Sequence, residues 1–336
     1  MDAETRGRLE DFIRGASGAQ RVAIASLARM SGGAVQQNWA LDAQLDGGLH
    51  AGNHRWVLRM DAPARVAESL TRSEEFRVLQ AMRDARVLAP RPLWVCEDVA
   101  VAGTPFFIME RLPGIAAGYK VARDARLVPD RARLAGELAA NLARLHAMRP
   151  GHAGLAFLRT MRARESIAHY RAYLDTLDDP QVVLEWGLRW CERNVPAQEE
   201  TTFIHRDYRT GNYLVHEGHV SGVLDWEFCA YGNPLEDVGW LFAKCWRFGQ
   251  NGYPVGGVAK AGDFLEEYER QSGRAVDAFA LRYWQVMAHI RWAVIALQQR
   301  ERHRSGVERA LELALTGHLL SDLEQEILVL TEDPSR

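Results

Sequence analysis

The segment at residues 205–212 constrains this chain more than any other feature of its sequence. It reads H-R-D-Y-R-T-G-N and follows a short apolar run at 201–205 that predicts a β-strand. Two further strand-like runs come next, at 212–216 and 219–227, and the second ends in L-D-W-E. A polar loop between a strand and a hairpin, with an Asp and an Asn at fixed spacing, indicates a site for chemistry.

These residue types suit phosphoryl transfer. The pattern H-R-D-x-x-x-x-N is typical of the catalytic loop of protein-kinase-like phosphotransferases, in which the Asp orients the acceptor hydroxyl and takes its proton. Asn212 would reach a magnesium ion on the phosphates, and Asp225 would bridge the metal between the β- and γ-phosphates. The alternative is that Asp207 and Asp225 are turn residues and that His205 is a core histidine.

The composition narrows the class of protein. The 336 residues include 47% hydrophobic and 25% charged residues with a net charge of −3, which argues against a dedicated nucleic-acid binder. No apolar run approaches the ~20 residues that span a bilayer, and the charged N-terminus lacks the apolar core of a secretion signal. Four scattered cysteines without a C-x-x-C pair predict reduced thiols. We therefore expect a soluble, cytoplasmic protein that binds neither nucleic acid nor membrane.

The secondary-structure pattern changes near Leu112–Gly114, where the sequence reads L-P-G. Before this breaker the sequence predicts helices at 2–14 and 73–84, and strands at 21–29, 38–45, 54–60, 92–98 and 105–111. Ser73 is the candidate N-cap of the second helix. After the breaker, helical periodicity dominates at 130–148, 164–177, 181–194 and throughout 234–332. The pattern predicts an α+β protein with two lobes, residues 1–112 and residues 113–336.

The segment FIHRDYRTGNYLVHEGHVSGVLDWEFCAYGNPLEDVGW strongly resembles the aminoglycoside phosphotransferase superfamily, which shares the protein-kinase-like fold with choline kinases. Within that superfamily, D-Y-R-x-G-N, L-D-W-E and G-N-P-x-x-D are shared with the branch that resembles the phosphotransferase domain of acyl-CoA dehydrogenase family members 10 and 11. The resemblance implies an antiparallel-sheet, nucleotide-binding N-lobe and a mainly helical C-lobe that is catalytic and binds the substrate. Arg206 departs from the pattern, because most of the superfamily has Gly there, so the packing of the loop is expected to differ.

The resemblance also implies roles for individual residues. Asp207 would be the catalytic base or hydroxyl-orienting group, and Asn212 and Asp225 would be magnesium ligands. Asp237 resembles the aspartate that braces the catalytic loop from the following helix; the alternative is an exposed carboxylate in the first turn of that helix. Glu227 either supports these ligands or is merely solvated.

The N-lobe is expected to hold ATP between the lobes, although no Walker A signature is present. Ser31, Gly32 and Gly33 lie between two predicted strands and fit a hairpin whose backbone N–H groups cover the phosphates. A Gly-Gly turn is also common in ordinary hairpins.

A kinase-like lobe needs a cation for the α/β-phosphates, held by a glutamate from the next helix. No lysine precedes Lys120, so Arg59 is the candidate cation and Glu75 its partner. The alternative for Arg59 is an ordinary surface arginine at a strand end. In the extended segment before the L-P-G breaker, the Glu110 carbonyl and the Leu112 N–H would bind the adenine edge. Met109 would line the adenine pocket, or belong to the core.

The identity of the phosphate acceptor depends on the C-terminal helices. Residues 282–309 contain six arginines against two glutamates, a net charge of +4. Aminoglycosides are polycations and need carboxylates, so this segment favours an anionic or acyl-CoA-like acceptor, unless it is simply an amphipathic helix. The branch named above includes kinases of hydroxyacyl-CoA compounds, which points the same way.

The sequence therefore predicts an ATP- and Mg²⁺-dependent phosphotransferase that acts on the hydroxyl of a small molecule, a hydroxyacyl-CoA-like compound or another metabolite. One alternative is an aminoglycoside O-phosphotransferase. Another is a nucleotide-binding pseudokinase with a regulatory role. A protein kinase is disfavoured because no recognisable activation segment follows Asp225.

Overall fold

The structure is a computed structural model of the chain that describes residues 1–30, 36–61, 68–197, 200–306 and 310–332. The chain divides into two compact units. The first unit comprises Met1–Gly114, Gly151–Phe157 and Ser221–Phe228, and the second comprises Ile115–Pro150, Leu158–Val220 and Cys229–Arg336. Asp225 and Glu227 therefore belong to the first unit, whereas the loop at 205–212 belongs to the second.

A five-stranded antiparallel sheet forms the centre of the first unit, with the strand order β1-β2-β3-β5-β4. The strands are β1 (Arg21–Arg29), β2 (Gln36–Asp46), β3 (Gly52–Asp61), β4 (Pro92–Cys96) and β5 (Phe106–Glu110). The helices of this unit are α1 (Ala3–Ser17), α2 (Arg72–Asp84) and the single turn α3 (Val99–Ala102). Leu9 and Ile13 of α1 pack onto Leu58 and Ile108 of the sheet, so the apolar stripe of α1 covers one sheet face.

The start of α2 differs from the sequence prediction. The N-cap is Thr71, whose hydroxyl accepts a hydrogen bond from the Glu74 N–H while the Glu74 carboxylate accepts one from the Thr71 N–H. This capping box satisfies two N–H groups at once, whereas Ser73 lies inside the first turn and hydrogen-bonds Glu97. The predicted N-cap at Ser73 is therefore wrong.

The second unit is mainly helical. Its helices are α4 (Gly118–Arg123), α5 (Arg131–His146), α6 (Ala163–Leu174), α7 (Val182–Arg193), α8 (Leu235–Phe242), α9 (Ala261–Ser272), α10 (Ala278–Arg304), α11 (Leu311–Gly317) and α12 (Leu320–Thr331). Two short strands, β6 (Thr202–Ile204) and β9 (Ala230–Gly232), pair antiparallel. Strands β7 (Tyr213–His216) and β8 (His219–Val223) form another two-stranded sheet, and residues 221–223 of β8 belong to the first unit. Across the described ranges, no helix is both long and apolar enough to cross a membrane.

The strand predicted at 219–227 ends earlier than expected. Strand β8 stops at Val223, and Asp225 has a φ of 61°, in the left-handed region that a strand cannot contain. A 3₁₀ turn at Trp226–Phe228 follows. Asp225 therefore lies in a tight bend after the strand rather than at its tip.

Helix α8 approaches α10 closely enough to require a glycine. A Cβ atom on Gly239 would lie 2.6 Å from the Trp284 Cβ and 2.7 Å from the Trp284 backbone carbon. Any larger residue would push the two helices apart, because real Cβ contacts are never this short. This contact fixes the position of Asp237 and Trp240, the neighbours of Gly239 on α8.

Candidate active site

The loop after β6 brings Asp207 and Asn212 together. The Asp207 Oδ1 accepts hydrogen bonds from the Trp240 Nε1 at 2.8 Å and from the Arg209 Nε at 3.0 Å. The Asn212 Nδ2 donates to the Asp207 Oδ2 and, at 3.1 Å, to the Asp207 backbone oxygen. Three donors therefore fix the orientation of one carboxylate. Because the Nδ2 of Asn212 faces Asp207, its Oδ1 is directed away from that carboxylate.

A buried carboxylate on α8 holds the backbone of this loop. The Asp237 Oδ2 accepts from the His205 N–H at 2.7 Å, and its Oδ1 accepts from the Arg206 N–H at 2.6 Å. The His205 Nδ1 in turn accepts from the Asp207 N–H at 3.1 Å. Asp237 is fully buried, so the structure favours the bracing role over an exposed first-turn carboxylate.

Two further side chains hold Asp237. The His146 Nε2 of α5 lies 3.2 Å from the Asp237 Oδ2, and the His146 Nδ1 lies 2.7 Å from the Tyr268 hydroxyl of α9. Burial lowers the pKa of His146, so the ring is neutral at pH 7. A carboxylate can only accept, so the Nε2 carries the proton and the Tyr268 hydroxyl donates to the Nδ1.

The pKa of Asp237 reflects two opposing influences. Burial acts to raise it, but the hydrogen bonds from the His146 ring and the His205 N–H outweigh burial and lower the pKa below its ordinary value. Asp237 therefore stays ionised and keeps accepting the loop N–H groups.

Arg206 stands where a glycine was expected; its backbone is strained and its side chain forms an ion pair. Its φ is 65°, a conformation that non-glycine residues rarely adopt. The Arg206 Nε donates to the Glu236 Oε1 at 2.9 Å, with the side chains 11% and 12% exposed. The Arg206 carbonyl accepts from the Arg291 Nη1. The loop therefore packs through charged groups that a glycine would not provide.

The first unit brings together Arg59, Glu75 and Asp225. The Arg59 Nε donates to Glu75 at 2.9 Å, and the Arg59 Nη2 lies 3.1 Å from the Asp225 Oδ1 and 3.7 Å from the Glu227 Oε1. Arg59 and Glu75 are buried, so the alternative of a surface arginine is wrong. Burial acts to lower the pKa of Arg59, but the charges of Glu75, Asp225 and Glu227 outweigh it and raise the pKa.

Arg72 is a member of this site that sequence reasoning missed. Its Nη1 donates to the Glu75 Oε2, and its Nε lies 2.8 Å from the Asp61 Oδ1. Arg72 is fully buried, and its spacing of three residues from Glu75 on a helix was the signal that could have found it. We call the whole set the Arg59 cluster; its two arginines and four carboxylates are Arg59, Arg72, Asp61, Glu75, Asp225 and Glu227.

The remaining predicted nucleotide contacts lie in or near β5. Met109 is buried opposite Val57 of β3, Glu110 is exposed, and the Glu110 N–H donates to the Arg91 carbonyl at 2.9 Å. The Leu112 N–H finds no acceptor in the part of the chain that the structure describes. Ser31, Gly32 and Gly33 lie outside the described residues.

Metal-ligating side chains do not form a complete site by themselves. Within the described residues, no three His, Cys, Asp or Glu side chains are arranged to hold a metal ion. Mg²⁺ on a nucleotide needs only one or two protein carboxylates, since phosphate oxygens and water complete its coordination.

Comparison with known proteins establishes the family. Residues 27–281 match the model of the phosphotransferase enzyme family, and the chain belongs to that family. Mouse acyl-CoA dehydrogenase family member 10 is 34% identical over 174 residues, which cover 49% of this chain and 16% of the mouse protein. A probable acyl-CoA dehydrogenase of Arabidopsis thaliana is 27% identical over 275 residues, covering 72% of this chain and 32% of that protein. The chain thus corresponds to a third or less of these relatives.

Solved structures confirm the predicted α+β, protein-kinase-like fold. A Ralstonia eutropha protein assigned to the aminoglycoside phosphotransferases superposes with a TM-score of 0.76, at 19% identity and 97% coverage of both chains. The GDP complex of aminoglycoside 2′-phosphotransferase-IIIa gives a TM-score of 0.65, at 14% identity, over 97% of this chain and 98% of that one. At these identities the likeness shows the fold alone.

Proposed function

We propose that this protein is an ATP- and Mg²⁺-dependent phosphotransferase that moves the γ-phosphate to a hydroxyl group of a small molecule. The observation that carries the proposal is the Asp207 carboxylate, which three side-chain donors orient in a member of the phosphotransferase family. Catalysis in this class consists of positioning and charge stabilisation, so a fixed carboxylate is the central requirement.

Asp207 can accept a further hydrogen bond from an acceptor hydroxyl. Its Oδ1 accepts two side-chain hydrogen bonds and its Oδ2 accepts one. A carboxylate oxygen has two lone pairs, so the Oδ2 retains one. We assign this lone pair to the substrate hydroxyl, whose proton it would accept as the phosphoryl group is transferred.

The Arg59 cluster supports binding of a nucleotide and its metal. It contains two more carboxylates than guanidinium groups, an excess that one divalent cation would neutralise. Asp225 is its most accessible carboxylate, because its side chain is 29% exposed, against 19% for Asp61 and 5% or less for Glu75 and Glu227. We propose that Asp225 ligates Mg²⁺ and that Arg59, held by Glu75, binds the α/β-phosphates. Asn212 remains the other predicted magnesium ligand. Bound Mg²⁺ would offset the charge that develops on the phosphate oxygens.

For the nucleotide base, we propose that the Glu110 carbonyl and the Leu112 N–H bind the adenine edge beside Met109. The Leu112 N–H supports this assignment, because none of the described residues accepts a hydrogen bond from it. Ser31, Gly32 and Gly33 remain predicted contacts of the phosphates.

For the acceptor, we propose a metabolite with a hydroxyl group, such as a hydroxyacyl-CoA-like compound. The arginine excess at 282–309 and the acyl-CoA dehydrogenase family names of the curated relatives support this choice. An aminoglycoside is the second candidate, since structures with the same fold contain hygromycin B. A pseudokinase is disfavoured because Asp207, Asn212 and Asp225 are all present.

The test is consumption of ATP·Mg²⁺ by the purified protein with a panel of aminoglycosides, choline-like alcohols, sugars, hydroxy acids and hydroxyacyl-CoAs. Asp207→Ala should lower acceptor-dependent turnover by about 10²- to 10⁴-fold. Asp178→Ala is the matched control, because Asp178 is an exposed loop carboxylate, and it should leave turnover unchanged. Nucleotide binding without turnover on any acceptor would contradict the proposal and favour the pseudokinase.

A further inference from the structure

Three tryptophans of the second unit form an aromatic cluster beside the loop that carries Asp207. Trp240 lies on α8, Trp246 in the 3₁₀ turn that follows α8, and Trp292 on α10. The ring centre of Trp246 lies 5.2 Å from that of Trp240 and 4.8 Å from that of Trp292. Trp240 is 2% and Trp246 is 7% exposed, so close packing holds these two rings in place.

Two members of this cluster determine the surroundings of the Asp207 Oδ1. The Trp240 Nε1 donates to it at 2.8 Å, and the Arg209 Nε donates to it at 3.0 Å. The Arg209 guanidinium carbon in turn lies 4.2 Å from the centre of the Trp246 ring, which is a cation–π contact. Trp246 therefore acts on Asp207 through Arg209.

The pairing of Arg209 with Asp207 uses one carboxylate oxygen. An arginine and a carboxylate commonly pair through two parallel hydrogen bonds, one to each oxygen. Here the Arg209 Nε donates to the Asp207 Oδ1, and the Nη1 donates instead to the Thr210 carbonyl at 3.3 Å. A pair with both oxygens would occupy the Oδ2 lone pair that the acceptor hydroxyl needs. The orientation of Arg209 thus decides whether Asp207 can receive the acceptor.

The indole ring of Trp246 offers Arg209 a face and no hydrogen bond. Its Nε1 is buried and has no hydrogen-bond partner among the residues that the structure describes. A buried indole N–H usually has a partner, so a tryptophan here carries a cost that a phenylalanine would not. The larger ring offsets that cost, because tryptophan attracts a cation over its face more strongly than phenylalanine or tyrosine does.

We propose that Trp246 is a positioning residue for phosphoryl transfer: its ring holds the Arg209 guanidinium on the Asp207 Oδ1 and so keeps the Oδ2 open to the acceptor hydroxyl. This inference rests on the proposed function, in which the Oδ2 accepts the proton of that hydroxyl. Without the ring, the guanidinium is free to rotate onto both oxygens and closes the Oδ2 to the acceptor. Trp246 thereby affects turnover, whereas ATP binding does not depend on it.

The experiment compares Trp246→Leu, which removes the aromatic face, with Trp246→Phe, which keeps a face and loses no hydrogen bond. Crystal structures should show Arg209 on both Asp207 oxygens in Trp246→Leu and on the Oδ1 alone in Trp246→Phe. With ATP·Mg²⁺ and the acceptor panel described above, Trp246→Leu should lower kcat about 3- to 30-fold at an unchanged KM for ATP, and Trp246→Phe should lower it less. Trp246→Met is a second variant without an aromatic face, in case the leucine variant does not fold.

Two controls separate this role from a loss of packing. Trp190→Leu removes another tryptophan that carries an arginine, since the Arg282 guanidinium carbon lies 5.6 Å from the Trp190 ring centre, and it should leave kcat unchanged. In an Arg209→Ala background, Trp246→Leu should have no further effect on kcat, because the side chain that the ring holds is already gone. A loss of packing alone would lower kcat by the same factor in both backgrounds.

Three results would overturn the inference. If Arg209 stays on the Oδ1 alone in Trp246→Leu, the ring does not hold it there, and the proposed phosphotransferase is unaffected. If Trp246→Leu lowers kcat equally with and without Arg209, the ring only supports the fold. If the wild-type protein transfers phosphate to no acceptor of the panel, the proposed function fails, and the role of Trp246 in transfer fails with it.

Discussion

Replacing Arg206 by glycine tests whether backbone strain or the ion pair with Glu236 has the larger effect on stability in the loop that carries Asp207. Relief of strain would stabilise the loop, because a non-glycine residue at φ 65° costs about 1–2 kcal/mol. The substitution also removes the partner of Glu236, in a pair whose side chains are 11% and 12% exposed. Breaking a buried pair costs about 3–5 kcal/mol, because one charge remains buried without compensation.

The second effect is the larger, so Arg206→Gly should lower the free energy of unfolding by about 1–4 kcal/mol. The hydrogen bond from the residue 206 N–H to Asp237 is a backbone contact and survives the change. Urea denaturation at pH 7, followed by tryptophan fluorescence, measures the difference. In the double variant with Glu236→Gln, the uncompensated charge is gone, and at least half of the loss should be recovered.

The reasoning fails if Arg206→Gly is as stable as the wild type or more stable. That result would mean that strain relief outweighs the ion pair. It would also fail if Glu236→Gln recovers nothing in the Arg206→Gly background, because the loss would then come from glycine flexibility rather than from charge.

Three further substitutions probe the site. Asp237→Asn should lower the free energy of unfolding by about 1–3 kcal/mol at pH 7, because the amide can keep two of the three donors but faces the third with its own NH₂. In urea denaturation, the difference from the wild type should shrink as the pH falls below about 3.9. Folding lowers the pKa of Asp237, so the ionised carboxylate contributes its full stability only above the pKa of the unfolded chain. Arg59→Met should raise the KM for ATP and lower the free energy of unfolding by about 3–5 kcal/mol, because Glu75 and Asp225 lose their partner. Arg59→Lys keeps the charge and should show smaller changes in both quantities. An unchanged nucleotide affinity of Arg59→Met would refute the proposed contact with the phosphates. Trp240→Phe should lower kcat about tenfold, with a nearly unchanged unfolding midpoint, since only the N–H to Asp207 is lost.

The sequence was sufficient to predict most of the elements and to place Asp207 and Asn212 in one loop between a strand and a hairpin. Short-range patterns determine both features. The order of strand, loop and hairpin can be predicted from the alternation of apolar and polar residues and from the turn residues between them. Strand β1, for example, spans 21–29 as predicted. Arg59 and Glu75 could also be paired in advance, because a kinase-like lobe needs a cation held by a glutamate from the next helix.

Contacts between distant segments could not be predicted in the same way. Trp240 lies 33 positions from Asp207, and its hydrogen bond depends on how α8 packs through Gly239. The bracing role of Asp237 was one of two open alternatives, because exposure cannot be known from one sequence. The N-cap of α2 was predicted wrongly for another reason, because Thr71 and Ser73 are both possible cap residues. The two reciprocal hydrogen bonds between Thr71 and Glu74 stabilise the start of the helix more than a single hydroxyl contact would.

Two residues near the proposed chemistry have left-handed backbones that their side chains disfavour, Arg206 at φ 65° and Asp225 at φ 61°. Each costs about 1–2 kcal/mol and persists only where neighbouring groups hold it. Asp237 holds Arg206 through its N–H, and the Arg59 guanidinium lies 3.1 Å from the Asp225 carboxylate. Ion pairs of buried groups contribute little net stability compared with apolar packing. The Arg206–Glu236 and Arg59–Asp225 pairs are therefore better explained by the backbone geometry that they hold in place. The buried charges of this protein therefore orient the loops that carry Asp207 and Asp225, and stability is supplied by the apolar clusters around them.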